Sequence, residues 1–492
     1  MPVAAKSLLT SHSMSQPKSI SEYRLALKSS RAKIAHLEAE NGQLKERVRR
    51  LEGQLEAAQR AAKRQAAPFS RGKRRPSGRP PGRRSGVEHG RHGHRQTPDL
   101  VDQELYAELP ECCPDCGGSL EESEEGWEQY QEELPEIRAL VTRVSGKWAR
   151  CRNCGRRVRG RHPLQTSAAI GAAAAQVGPR ALALACSLHK KQGLSVRKTT
   201  AAMCELGIRL SPGGLVQAIA RIGDRCQPTY QALVEVVRRS PVVNGDETSW
   251  RVNGEGAWLW IMTTEQVAVY GIREGRGYEE AASLLGGAYR GVLVRDGWAV
   301  YVKFVKAEHQ TCLAHLLRRC REMREATWGR GREVPNLVAC ILKDALELRD
   351  RHQAGGVSDG DLAVTVLELE ARVGWLLARP AIVHAGNRRL LKHLGKERDH
   401  LFTFLRHPEL DVPATNWRAE QGIRPAVMIR KTWGGNASWR GAGTQDCLMS
   451  VCRTGRLQGI DVVAALTELQ RQRHLGLLPG LVLTLPGLDR GG

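Results

Sequence analysis

At Ser240 the chain changes its pattern, and the new pattern admits few folds. Upstream, from about residue 168, the sequence reads as Ala- and Leu-rich helix. Downstream come three extended runs with short turns: PVVNGDETSWRV, GAWLWIMTT and QVAVYGI. Their β-branched and aromatic residues, punctuated by Gly, Asn and polar pairs, favour strands. YEEAASLLGG then reads as a helix and GVLVRDGWAVY as a fourth strand ending at Asp296. HQTCLAHLLRRCREM starts extended and becomes helical.

Three strands, a helix, a strand and further alternation is the order of an RNase H-like α/β fold. In that order the first and fourth strands are neighbours. Asp246, on the first, and Asp296, at the end of the fourth, are therefore expected to converge. Two carboxylates on one side of a site can bridge Mg²⁺ ions. Two such ions about 4 Å apart can activate a water or a 3′-hydroxyl and stabilise the leaving oxygen of a phosphodiester. Aspartates at strand ends also serve as caps and solvated turn residues, so the pair alone leaves both readings open.

The upstream sequence divides into modules. Residues 20–62 place Ile34, Leu37, Leu44, Val48, Leu51, Leu55 and Ala58 at heptad spacing, with Asn41 at an a position. This predicts a coiled-coil helix pairing protomers into a homodimer or larger assembly, in register through the asparagine. Residues 63–98 contain RGKRRPSGRPPGRRSG, which is too poor in apolar residues to fold alone. They read as a disordered basic linker in which Arg74 and Arg75 meet phosphates. A leucine-zipper transcription factor is disfavoured, because its basic helix would precede the heptads without prolines.

Residues 99–165 carry Cys113, Cys116, Cys151 and Cys154 as two C-x-x-C pairs. Four thiolates suit one structural Zn²⁺, and the spacing suits a zinc ribbon with two knuckles carried on hairpins. Cys112 is then a spectator. With 13 cysteines in 492 residues the chain is no disulfide scaffold. Residues 166–238 are helical. Within them Val196–Leu206, a turn at Gly207, and a second helix from Ser211 and Pro212 to about Ile222 read as a helix-turn-helix-like DNA-binding domain. An ordinary helical hairpin is the plainer alternative.

The charge agrees with a nucleic-acid partner: 75 Lys and Arg stand against 52 Asp and Glu, a formal net charge of +23. No apolar run of about 18 residues suggests a membrane span, and the N-terminus lacks the apolar stretch of a signal peptide. A cytoplasmic, DNA-associated protein is expected.

Three separated segments, NGDETSW, DGWAVY followed by CLAHLLRR, and TNWRAEQGIRPAVMIRKTWGG, resemble transposases of the insertion sequence 66 family. The likeness extends over nearly the whole chain, including the heptad helix, the basic linker and the paired cysteines. It implies a DDE-type polynucleotidyl transferase with Asp246, Asp296 and Glu420 as catalytic acids holding two Mg²⁺ ions. It also implies terminal inverted repeats and target DNA as partners, strand cleavage and strand transfer as the reaction, and small accessory proteins as possible partners. The family often shows paired asparagines before the glutamate; here Asn416 is followed by Trp417. The catalytic core would occupy 239–308 and 413–475, around a helical insertion at 309–412. Downstream of Glu420, Arg424, Arg430 and Lys431 are candidate phosphate contacts, and Trp433 is a candidate platform for an unpaired base. Cys312 and His315 form C-x-x-H, read as structural or DNA-positioning because only Cys320 and His309 lie near in sequence as further ligands. A non-catalytic zinc-containing DNA-binding regulator and an inactive transposase remnant are the alternatives.

Overall fold

The computed structural model describes residues 20–65, 95, 97–123, 125–171, 175–379, 384–472 and 474–483. Most of the expected basic linker, with Arg74 and Arg75, lies outside them. The chain divides into two compact units, Met1–Tyr130 and Gln131–Gly492.

In the first unit, α1 (Ile20–Gln65) is rich in Ala, Leu, Glu, Arg and Lys, all strong helix formers. Ile34, Leu37, Leu44, Val48 and Leu51 are all exposed on it. An apolar stripe of this length is normally covered. Further on, Cys113 and Cys116 sit in a tight turn: the Cys113 amide donates to Gly118 and the Gly117 amide to Cys113.

The second unit begins with the short antiparallel hairpin β1 (Trp148–Arg150) and β2 (Arg157–Arg159). Its turn holds Cys151 and Cys154 in the same bonding pattern: Cys151 N–H to Arg156 and Gly155 N–H to Cys151. The sequence predicts a hairpin around each cysteine pair. Among the described residues, strands flank only the second.

Three helices follow: α2 (Pro179–Lys190), α3 (Val196–Glu205) and α4 (Pro212–Arg239). Ser211 caps α4 as expected, its hydroxyl accepting from the Gly214 amide. The helix does not end near Ile222, however. Its apolar stripe continues through Cys226, Tyr230, Leu233 and Val237, all buried, and carries it to Arg239.

The central sheet contains β3 (Val242–Val252), β4 (Glu255–Thr263) and β5 (Ala268–Arg273). After α5 (Tyr278–Leu285) it gains β6 (Val292–Arg295) and β7 (Glu308–Thr311). The order is β5-β4-β3-β6-β7: an antiparallel meander, then β6 and β7 parallel to β3. The two-residue turn Asn253–Gly254 has positive φ at both positions, +51° and +80°, which matches strand twist and favours Asn-Gly. The four residues of β6, VLVR, are all buried, as in a strand covered on both faces.

Alternate residues feed separate cores. Trp260 and Met262 face α2, α4, α12 (Trp439–Leu457) and α13 (Val462–Arg471). Leu259 and Ile261 face α11 (Trp417–Trp433) and α12. Val292 and Val294 pack with the helices between sheet and α11: α6 (Leu313–Ala326), α7 (Glu333–Gln353), α8 (Asp359–Ala378), α9 (Ala385–Glu397) and α10 (Thr403–Arg406). The expected start of the helical insertion at residue 309 falls inside β7, an integral strand of the sheet. Among the described residues no helix is long and apolar enough to cross a membrane.

Candidate active site

β3 and β6 pair in parallel with Val242 opposite Val292 and Asn244 opposite Val294. Extending that register two residues beyond the ladder sets Asp246 beside Asp296, on the same side of the sheet. Each carboxylate has one oxygen held by a nearby backbone amide. Glu247 N–H donates to Asp246 Oδ1 at 2.8 Å, and Trp298 N–H to Asp296 Oδ1 at 2.9 Å. Among the described residues, neither aspartate makes an ion pair.

Glu420 arrives on the first turn of α11, which is seated by two devices. Asn416, fully buried at the N-cap position, donates from Nδ2 to the Gly245 carbonyl at 2.8 Å and accepts from Asn244 Nδ2 at 3.0 Å. Two turns of chemistry thereby become one geometry: the residue preceding Asp246 is tied to the start of the Glu420 helix. Farther along, Gly422 lets α11 lie close on β4. A Cβ there would clash with Ile261 Cδ1, and the Tyr270 hydroxyl donates to the Gly422 carbonyl at 2.5 Å.

The electrostatics register the convergence. Burial pushes the Asp246 carboxyl up to about 7, and the negative charges of Glu247, Asp296 and Glu420 push in the same direction against the Glu247 amide. The exposed Glu420 carboxylate faces α6, with Oε1 3.6 Å from His315 Nδ1. Cys312 Sγ accepts from the Asn416 amide at 3.1 Å.

Several site residues escaped the sequence reading. Glu247 points to the opposite face from Asp246 and is buried. It accepts from the Tyr301 hydroxyl at 2.6 Å and from Arg276 Nη2 at 2.6 Å. Burial raises its carboxyl above the ordinary range, and these two donors oppose the rise. The Arg276 guanidinium lies against Trp258 and Trp298, 4.5 and 3.8 Å from the ring centroids. Arg295, fully buried just before Asp296, pairs with Glu397 of α9 at 2.6 Å. Burial works against the Glu397 carboxylate, yet Arg295 and Thr311 hold its pKa below the usual range. Strand alternation was the one available signal for Glu247. No local signal identifies its partner.

The expected DNA contacts divide. Arg424 and Lys431 are exposed on α11. Arg430 is instead engaged within the protein, donating to Thr248 Oγ1 at 3.0 Å and Ser249 Oγ at 2.7 Å, which straps α11 to β3. Trp433 is likewise engaged: its ring stacks on His189 at 4.8 Å, meets Trp250 edge-on and lies under Lys190. A ring packed this way is a core contact, not an open platform for a base.

The two cysteine turns share one further property. Backbone amides of Asp115 and Cys116 lower the Cys113 thiol, and those of Cys154 and Asn153 lower Cys151. Amides aimed at sulfur favour the thiolate that a metal requires.

Comparison with known proteins adds two findings. A family model described as "Transposase IS66 family" matches residues 174–444. The "Uncharacterized protein y4hP" of Sinorhizobium fredii (strain NBRC 101917 / NGR234) is 24% identical over 411 residues, spanning 75% of this chain and 72% of that protein.

Proposed function

The chain belongs to the transposase IS66 family, and from that premise we propose that it is a DDE-type DNA transposase whose catalytic acids are Asp246, Asp296 and Glu420. What supports this reading is the β3–β6 register, which brings Asp246 and Asp296 to neighbouring strand ends, together with the raising of the Asp246 carboxyl by the charges of Asp296 and Glu420. The strand order β5-β4-β3-β6-β7 supports an RNase H-like core.

The residues suit Mg²⁺. The donors are hard carboxylate oxygens, and among the described residues neither aspartate has an ion-pair partner to offset their mutual repulsion. Asp246 and Asp296 would share one ion and Glu420 would help hold a second. Bound there, the ions would act as Lewis acids and generate the nucleophile for hydrolysis and strand transfer. The amides of Glu247 and Trp298 orient the two aspartates. Asn416, Gly422 and Arg430 seat α11, the helix that carries Glu420, against the sheet. Arg424 and Lys431 are the cations left to meet the DNA backbone at the terminal repeats or the target.

Two accessory readings accompany this one. The turn at Cys113 and Cys116 and the matching turn at Cys151 and Cys154 each support a thiolate knuckle of the kind structural Zn²⁺ takes. The exposed apolar stripe of α1 supports a coiled coil between protomers, so that two element ends are processed together. The helical hairpin α3–α4 would contact DNA through the exposed Arg197, Lys198 and Arg221.

The deciding experiment is Mg²⁺-dependent nicking of DNA carrying the element's end. Wild type should nick and Asp296→Ala should not. Equal, metal-independent activity in both, or none in either, would remove the DDE reading and leave a non-catalytic DNA-binding regulator or an inactive transposase remnant. Light scattering after deletion of residues 20–60 tests the coiled coil, which predicts loss of the dimer.

A further inference from the structure

Beside the acids, the start of α6 presents donors of a different chemistry. Cys312 Sγ, a ring nitrogen of His315 and a carboxylate oxygen of Glu420 all lie within 4.8 Å of one another. Cys312 occupies the N-cap position and His315 follows three residues later, so C-x-x-H turns thiol and imidazole to one side of the first helical turn. His315 Nδ1 is buried and, among the described residues, has no hydrogen-bond partner, although it lies 3.6 Å from Glu420 Oε1. Leaving a buried ring nitrogen unsatisfied is costly, and ligation to an ion would satisfy it. With metal–ligand bonds of roughly 2.0–2.3 Å, the edge of a tetrahedral site is about 3.3–3.8 Å. The observed nitrogen–oxygen separation already fits that edge. The Asn416 amide on Cys312 Sγ is the kind of outer contact that orients a ligand sulfur.

We propose that Cys312, His315 and Glu420 form a binding site for a thiophilic divalent cation, of which Zn²⁺ is the type, with one position open to water or another ligand. Sulfur and imidazole donors discriminate against Mg²⁺, which takes oxygen. Glu420 thus stands between two donor sets. A cation held at α6 competes for the carboxylate that the two aspartates need, so the two kinds of metal are antagonists. The proposal shares Glu420 with the catalytic reading, but its test reads metal directly, so either can fail without the other.

The test is titration of the purified full-length chain with Co²⁺, followed by thiolate charge-transfer and d–d absorption and by bound-metal stoichiometry. The C-x-x-C pairs contribute their own signal, so the comparison is with His315→Ala, Glu420→Gln and Cys312→Ser. Wild type should bind one more Co²⁺ per chain than His315→Ala or Cys312→Ser, and Mg²⁺ should raise the Co²⁺ concentration needed without lowering that stoichiometry. Glu420→Gln should retain the charge-transfer band and weaken binding. The same stoichiometry and spectrum in wild type and His315→Ala overturn the proposal. Cys312 is buried, so if Cys312→Ser does not fold, the partly exposed His315 decides the outcome alone.

Discussion

Asn416 Nδ2 donates to the carbonyl of Gly245 at 2.8 Å, across an interval that contains six α-helices among the described residues. The bond joins the residue before Asp246 to the residue whose carbonyl accepts the Glu420 amide. Asn416→Ala would leave that carbonyl and Asn244 Nδ2 unpaired in a buried place. Its expected cost is about 2–4 kcal/mol of stability by urea denaturation. DNA nicking should fall as well, because the Glu420 helix loses its anchor. An Asn416→Ala protein of wild-type stability would show the bond to be incidental.

The clustered acids predict opposite effects on activity and stability. Asp246→Asn removes a repelling charge from a buried group, so the metal-free protein should gain about 1 kcal/mol. The same change should reduce Mg²⁺-dependent nicking by about 10³-fold, equivalent to about 4 kcal/mol of barrier. Thermal unfolding in chelator and an initial-rate assay check the two halves. Loss of stability alongside loss of activity would mean that Asp246 is structural.

Glu247 and Arg276 should behave as a coupled pair. Among the described residues, Arg276→Ala leaves the buried Glu247 carboxylate with Tyr301 as its one side-chain partner, at an expected cost of about 3 kcal/mol. Glu247→Gln should cost less, and the double variant less than the sum of the two. Additive denaturation free energies would place Arg276 outside the buried pair.

Gly422→Ala forces a methyl group into Ile261 and should cost about 1–3 kcal/mol while displacing Glu420. Gly443→Ala, in the open on α12, is the control and should stabilise by about 0.5–1 kcal/mol through helix propensity. Equal behaviour of the two variants in thermal melts and nicking would contradict the close seating of α11 on the sheet.

His309 supplies a pH dependence. Burial lowers its pKa from 6.5 to about 4, with Arg295 and His400 adding to the effect. The folded state therefore disfavours the proton that the unfolded chain accepts. This contribution is complete above pH 6.5 and is lost as pH falls from there toward 4. It amounts to about 1–3 kcal/mol. His309→Asn should flatten that part of the stability profile; an unchanged slope would assign it to other groups.

What was legible in the sequence was local. The extended runs, the Ser211–Pro212 helix start and the tight turn at each C-x-x-C are set by residues within a few positions of one another, although strands flank only the second cysteine pair among the described residues. The pairings were not legible. Glu247 finds Arg276, Arg295 finds Glu397, and Asn416 finds Gly245 only after the strands and helices have packed. Trp433 and Arg430 show the converse. A Trp beside cations reads as a nucleic-acid contact, yet His189 and Thr248, far away in sequence, engage both side chains. The length of α4 was missed for a related reason: its apolar stripe continues past Ile222 because the central sheet is there to receive it.

The pairing of Arg295 with Glu397 bears on how such a gene can be rearranged. Helix α9 sits in the stretch that looks most dispensable, yet it neutralises a buried guanidinium adjoining Asp296. A chimera that borrowed residues 333–406 from a homologue without a matching acid would bury a naked cation beside the strand end. Recombination within this lineage should therefore transmit Arg295, Thr311 and Glu397 as one heritable block.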